Sequence, residues 1–205
     1  AIMDVCTTLN DEATRIGAVN TVVFHPGGEI EGRNTDAFGF MTNAIEAHPD
    51  FDWRQNPAVV IGAGGAARAI LYALKRAGVP EIRLTNRTID TAEALAEEFG
   101  CRVHDWDERS AAVQGAGVAI NTTSLGMTGQ PSLEIDLHGM ASDALVYDIV
   151  YAPLQTPLLK SAETLGYRCV TGIGMLLHQA RPGFQAWFGG SLPEVDDALL
   201  ETVLA

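Results

Sequence analysis

Residues 58–68 read Ala58-Val59-Val60-Ile61-Gly62-Ala63-Gly64-Gly65-Ala66-Ala67-Arg68, and a second apolar run downstream ends in Asn86-Arg87-Thr88. Four apolar residues in succession suit a parallel strand buried on both faces. The glycines after them fit G-x-G-x-x-[GA]. Gly62 permits the tight bend, Gly64 lets backbone amides approach a pyrophosphate, and Ala67 keeps the next helix close to the sheet. The N-terminus of that helix then holds negative charge. A glycine turn alone also joins strands to helices for packing, so the reading rests on the residues downstream of it.

Those residues form a crossover helix and a second strand. Across 66–76, Ile70, Leu71 and Leu74 recur at helical spacing, with Gly78 and Pro80 as the stop. The strand at 81–85 ends where an NAD-preferring fold places Asp or Glu on the ribose 2′-hydroxyl, and here stand Asn86 and Arg87. An acidic side chain repels a 2′-phosphate and an Arg guanidinium grips one, which selects NADP as the cofactor. The alternation continues through a helix at 91–99, a strand at 101–106 and a short helix at 110–113. Buried strands at 117–122 and 144–151 come next, then a helix at 156–165 with Pro157 in its first turn. The expected fold class is α/β, a Rossmann-like doubly wound parallel sheet spanning about 34–170.

Composition agrees with one large domain, or with one domain plus part of another. The chain has 205 residues, 47% of them hydrophobic and 19% charged, enough to bury a sizeable core. No apolar run reaches the roughly 18–20 residues that span a bilayer, and no signal-like segment opens the chain, so a cytoplasmic protein without a membrane partner is expected. With 26 acidic against 13 basic residues and a net charge of −13, a nucleic-acid partner is not expected. Cys6, Cys101 and Cys169 are isolated and odd in number, which reads as reduced, buried thiols.

Ligands of doubly wound sheets sit beyond the carboxyl ends of the strands. Asn121, Thr122, Thr123, Ser124, Leu125, Gly126 and Met127 end one strand, and Asp148, Ile149 and Tyr151 end the next. Short hydroxyls and amides suit a nicotinamide ribose or carboxamide, although each alone also serves as a turn or cap residue. Outside the sheet lie 15–21 (Arg-Ile-Gly-Ala-Val-Asn-Thr), 32–39 (Gly-Arg-Asn-Thr-Asp-Ala-Phe-Gly) and 172–180 (Gly-Ile-Gly-Met-Leu-Leu-His-Gln-Ala).

Taken in order, G-A-V-N-T, G-x-N-T-D-x-x-G, G-A-G-G-A-A, N-R-T, N-T-T-S-x-G-M, Y-D-x-x-Y-x-P-x-x-T-P-L-L and G-x-G-M-L-L-x-Q-A closely resemble the shikimate dehydrogenase family over nearly the whole chain. The resemblance implies reversible reduction of 3-dehydroshikimate to shikimate with NADPH, on the route to chorismate and the aromatic amino acids. It implies that Asp36 is the catalytic aspartate, sharing proton transfer with a lysine. It further implies that Asn20, Asp36, Tyr151 and Gln179 bind the small-molecule substrate. Ala63, Gly64, Gly65 and Ala66 would hold the pyrophosphate, and Asn86, Arg87 and Thr88 the 2′-phosphate. Thr123, Ser124, Ile149, Gly172 and Met175 would line the nicotinamide half. No metal is implied. Asp36 also reads as a helix N-cap. His178, one helical step or about 100° away from Gln179, reads as structural or exposed.

The same resemblance divides the chain into three parts. Residues 1–33 would close a substrate-binding domain, 34–171 would form the NADP domain, and 172–205 would return to the substrate domain, ending in a short amphipathic helix. Two departures stand out. No lysine precedes Lys75, so the lysine partner of Asp36 and a serine pair for the substrate carboxylate are expected upstream of Ala1, and the 205-residue stretch alone is expected to be inactive. Thr91 stands where many NADP-using members carry a second basic residue, so cofactor choice rests on Arg87. A quinate/shikimate dehydrogenase using NAD(P) shares these motifs, and a non-catalytic NADP-binding regulator would need only part of them. A short-chain dehydrogenase is excluded, because Tyr72 is followed four residues on by Arg76 rather than Lys. A monomer or a homodimer fits the sequence equally.

Overall fold

In the computed structural model, which describes residues 2–204, two sheets share the chain. A small one contains β1 (Thr8–Leu9), β2 (Thr21–Phe24) and β3 (Ile30–Arg33), in the order β1-β3-β2. Helix α1 (Asp11–Ile16) connects β1 to β2, and α2 (Asp36–Ala47) leaves β3. The larger sheet holds six parallel strands: β4 (Ala58–Ile61), β5 (Ile82–Thr85), β6 (Arg102–His104), β7 (Val118–Asn121), β8 (Leu145–Asp148) and β9 (Arg168–Val170). Their order is β6-β5-β4-β7-β8-β9. Between them run α3 (Gly65–Ala77), α4 (Ile89–Phe99), α5 (Arg109–Ala112) and α6 (Pro157–Thr164), and after them come α7 (Gly172–Phe188) and α8 (Asp197–Leu204).

The hydrophobic pattern explains the layers. All four residues of β4 are fully buried, as are Ala67, Ala69, Ile70, Leu71 and Leu74 on one face of α3. That face, with α2 and α4, covers one side of the sheet; α5, α6 and the segment containing Leu133, Leu137 and Met140 cover the other. Strand order reverses direction at β4 and β7, so the crevice of this doubly wound sheet opens beyond Ile61 and Asn121. Phe40 on α2 stacks on Tyr147 of β8 with ring centroids 4.7 Å apart, fixing α2 onto the sheet.

Several boundaries differ from those expected. The strand expected over 144–151 stops at Asp148, because the Asp148 carboxylate turns back to accept from the Val150 N–H at 3.0 Å. The helix expected from residue 91 starts at Ile89, directly after the extended Thr88. Trp106, expected in a strand, lies in a 3-10 turn, Trp106–Glu108. Asp36 is not the cap of α2 but its first residue; Thr35 occupies the cap position, and the Asn34 side chain accepts from the Asp36 N–H at 3.0 Å. The three cysteines are free as expected, but half-buried rather than buried. Among the described residues, no helix is long and apolar enough to cross a membrane.

Candidate active site

Two polar centres lie at the carboxyl edge of the large sheet and beside it. The first is built on a hairpin. Antiparallel pairing of Thr21 with Arg33 sets Asn20 beside the chain leaving β3, and the Asn20 N–H donates to the Arg33 carbonyl at 3.0 Å. That chain runs straight into Asn34, Thr35 and Asp36. The Asn20 side-chain amide donates to Asp36 Oδ1 at 2.8 Å and to Thr35 Oγ1 at 3.0 Å, while its Oδ1 accepts from the Thr35 N–H at 3.1 Å.

The opposite wall of this centre is α7. Gly39 lets α2 and α7 approach closely: a Cβ there would sit 2.6 Å from the Gln179 Cβ and 2.7 Å from the Met175 carbonyl oxygen. Gln179 Oε1 thereby comes within 3.4 Å of both the Asn20 amide and the Thr35 hydroxyl. Asn20, Asp36 and Gln179, named from the sequence, thus form one cluster, with the buried Thr35 as its unforeseen fourth member. Burial pushes the Asp36 carboxyl above the usual aspartate range, and the Asn20 hydrogen bond pulls it partway back. A half-buried carboxylate with a raised pKa beside neutral amide donors is suited to exchanging a proton with a hydroxyl.

Tyr151 stands apart from this trio. It lies about half exposed on a depression shared with Pro153, Leu154 and Ile173, just past β8. His178, the neighbour of Gln179, is buried, and there Nε2 meets Glu46 of α2 at 3.0 Å and Nδ1 accepts from Arg181 at 3.1 Å.

The second centre is a cleft of about 390 Å³ over the β4 turn. Gly62 has φ +108°, the left-handed region that glycine allows, and a side chain there would strike Thr122 Oγ1 at 2.6 Å. Open space faces Gly64 and Gly65, and α3 begins at Gly65, so its first-turn amides are presented to a ligand. Ala63, Gly64, Asn86, Arg87, Thr88, Thr123 and Ser124 line the cleft. Arg87 is exposed, and its side chain engages no group among the described residues. This donor set, a glycine turn at a helix N-terminus with an unengaged guanidinium at the rim, fits a phosphorylated dinucleotide.

Other expected residues lie outside the lining of the cleft. Gly65 and Ala66 open α3 beside it. Ile149 and Gly172 touch each other, since a Cβ on Gly172 would meet the Ile149 carbonyl oxygen at 2.2 Å, and Met175 is buried beneath Gly39. The cleft also takes in Trp106, Thr122, Leu125, Gln130 and Pro131. Of these, only Thr122 and Leu125 were singled out from the sequence, as residues that follow β7.

A buried network joins the cleft to the segment bearing Tyr151. Asp148, fully buried, accepts from the Asn121 amide at 2.9 Å and the Thr156 hydroxyl at 2.7 Å. Asn121 Oδ1 accepts in turn from the Thr123 hydroxyl at 2.7 Å. Burial raises the Asp148 carboxyl above its ordinary range, and hydrogen bonds from Thr156, Val150 and Asn121 oppose that rise.

Residues 45–128 match the family model described as shikimate / quinate 5-dehydrogenase. The shikimate dehydrogenase (NADP(+)) of Rhodospirillum rubrum is 53% identical over 202 residues, covering 96% of this chain and 71% of the relative. That of Paramagnetospirillum magneticum is 51% identical, over 100% of this chain and 75% of its own length. Among solved structures, quinate dehydrogenase from Corynebacterium glutamicum in complex with NAD superposes with a TM-score of 0.89 at 32% identity, over 99% of this chain and 73% of that one. Shikimate 5-dehydrogenase from Thermus thermophilus, in complex with NADP(H) and shikimate, gives 0.80 at 36% identity, over 94% and 70%. With half its residues identical to relatives of which it spans about three quarters, and with the same fold, the chain belongs to the shikimate dehydrogenase family.

Proposed function

We propose that this chain is the NADP-binding and proton-transferring part of an enzyme that interconverts 3-dehydroshikimate and shikimate. The observation that supports the reading is the hydrogen-bonded cluster of Asn20, Asp36 and Gln179, in a chain that also carries a cleft whose donors suit a phosphorylated dinucleotide. The dinucleotide, when bound, supplies or accepts hydride at its nicotinamide. The chain's own residues do the rest. First-turn amides of α3 and the Arg87 guanidinium hold the phosphates. Asn20 and Gln179 offer fixed donors and acceptors to ring hydroxyls, and Asp36 takes the hydroxyl proton as the ring carbon is oxidised. The Asn121, Asp148 and Thr156 network keeps Thr123 and the segment carrying Tyr151 in register at the nicotinamide end, where Ile149, Gly172 and Met175 form the backing.

Neither lysine of these residues can complete the proton relay: Lys75 donates to the Gly100 carbonyl at 3.0 Å, and Lys160 is exposed on α6. On this reading the 205 residues alone bind cofactor but turn over little. The resemblance to a quinate dehydrogenase complexed with NAD favours one second reading, a dual shikimate/quinate enzyme. The test is NADP reduction by the protein at its full natural length, with shikimate and quinate each paired with NADP and NAD. Turnover confined to shikimate with NADP supports the first reading. Turnover with quinate or NAD moves the assignment to the second, and absence of turnover with every pair rejects both. Shikimate oxidation by the 205 residues alone would overturn the need for a further lysine.

A further inference from the structure

We propose that Trp106 forms the aromatic wall on which the adenine of the dinucleotide stacks, braced by Arg109; the inference rests on the NADP reading. Thr85 at the end of β5 pairs in register with His104 at the end of β6. Two steps beyond each, the chain reaches Arg87 and Trp106, which sets an unengaged guanidinium and an indole at the sheet's carboxyl edge. Both line the cleft. This is the end of the cleft remote from Thr123 and Ser124 on β7's loop, because β6 and β5 lie on the opposite side of β4 from β7.

The indole is anchored rather than loose. It packs against the apolar cluster that includes Ala112 and Val113, and the Arg109 guanidinium carbon lies 4.9 Å from its ring centroid. Arg109 is itself fixed by two carbonyls, donating to Trp106 at 2.7 Å and to Glu134 at 2.6 Å. A rigid, half-buried π surface facing a polar cleft offers stacking to a purine, and a guanidinium against it strengthens the arrangement by cation–π attraction.

The chain's other indoles lie elsewhere. Trp53 is buried against Phe40 and Phe51, and Trp187 donates to the Val22 carbonyl at the start of the small sheet. The part of the emission change on adenosine binding that Trp106→Phe removes therefore reports Trp106. The experiment titrates the full-length protein with 2′-phosphoadenosine 5′-phosphate and, separately, nicotinamide mononucleotide, following tryptophan emission and calorimetry together. The expected result is quenching by the adenosine probe alone. In Trp106→Leu, affinity for that probe falls about tenfold, as loss of one stacked base implies, while affinity for nicotinamide mononucleotide is unchanged. Trp106→Phe restores most of the affinity without the quenching. Adenosine binding with unaltered emission, or Trp106→Leu binding as tightly as wild type, overturns the proposal alone; should Trp106→Leu not fold, the wild-type emission and Trp106→Phe still decide it. Calorimetric absence of NADP binding by the wild type overturns the NADP reading together with this one.

Discussion

Gly39 on α2 faces Gln179 on α7 so closely that a methyl group on Gly39 would lie 2.6 Å from the Gln179 Cβ and 2.8 Å from its backbone nitrogen. The neighbours are backbone and Cβ atoms, which cannot swing aside. Gly39→Ala therefore gains helix propensity, about 1 kcal/mol, but loses more to overpacking, about 1–3 kcal/mol. Because the displaced helix carries Gln179, KM for shikimate should rise more than the melting temperature falls. Steady-state kinetics beside thermal denaturation checks this, and a more stable Gly39→Ala protein with unchanged KM would refute the packing argument.

Asp36 should cost the fold stability at neutral pH. Its carboxyl titrates higher in the folded protein than in the unfolded chain because burial disfavours the charge. The folded state thus binds more protons between the two values, and the protonated group's contribution to stability is complete below the ordinary aspartate range of about 3.9 and is lost as pH rises through the raised value. Asp36→Asn, which keeps an acceptor for the Asn20 amide, should be more stable than wild type at pH 7 and lose that advantage toward pH 4. It should also abolish most turnover while leaving NADP affinity intact. Denaturation midpoints of the two proteins across that range supply the measurement; a constant difference would contradict the assignment of the shift.

Arg87 has no partner among the described residues and sits at the cleft rim. Arg87→Ala removes charge-assisted bonds to a 2′-phosphate, each worth about 1.5–3 kcal/mol, so NADP affinity should drop roughly tenfold to a hundredfold with NAD affinity nearly constant. Calorimetric dissociation constants for both dinucleotides give the ratio directly. An equal loss for NAD and NADP would show that Arg87 does not read the 2′ position.

Asp148 takes three hydrogen bonds in a fully buried site, from Asn121, Val150 and Thr156. Asp148→Ala strands those donors, a cost on the order of 3 kcal/mol, whereas Asp148→Asn keeps an acceptor for two of them and should cost about 1 kcal/mol. Thr156→Val combined with Asp148→Ala should be clearly less than additive, because both remove the same contact. Urea denaturation of the single and double variants measures the coupling, and strict additivity would dissolve the network.

The large sheet was legible because its signals are local. The buried run of β4, the glycine turn and the amphipathic α3 each specify their conformation within a dozen residues, and Arg87 is placed directly by where β5 ends. Strand ends were less legible. The early stop of β8 depends on Asp148 turning back to Val150, and the start of α4 on the extended backbone at Thr88, both settled by single hydrogen bonds or dihedrals rather than by hydrophobic period.

Periodicity and residue chemistry, both written along the chain, were enough for the doubly wound order of elements and the glycine turn after β4, and they singled out Asn20, Asp36 and Gln179. They could not show that Thr35 joins Asn20, Asp36 and Gln179, or that Trp106 shares a cleft with Arg87; folding in three dimensions made both pairings. The first contact spans 144 residues and needs two helices to meet at a glycine. The second needs parallel strands to pair in register at Thr85 and His104. Contacts of that kind are set by the simultaneous burial of many apolar faces, which no short segment encodes.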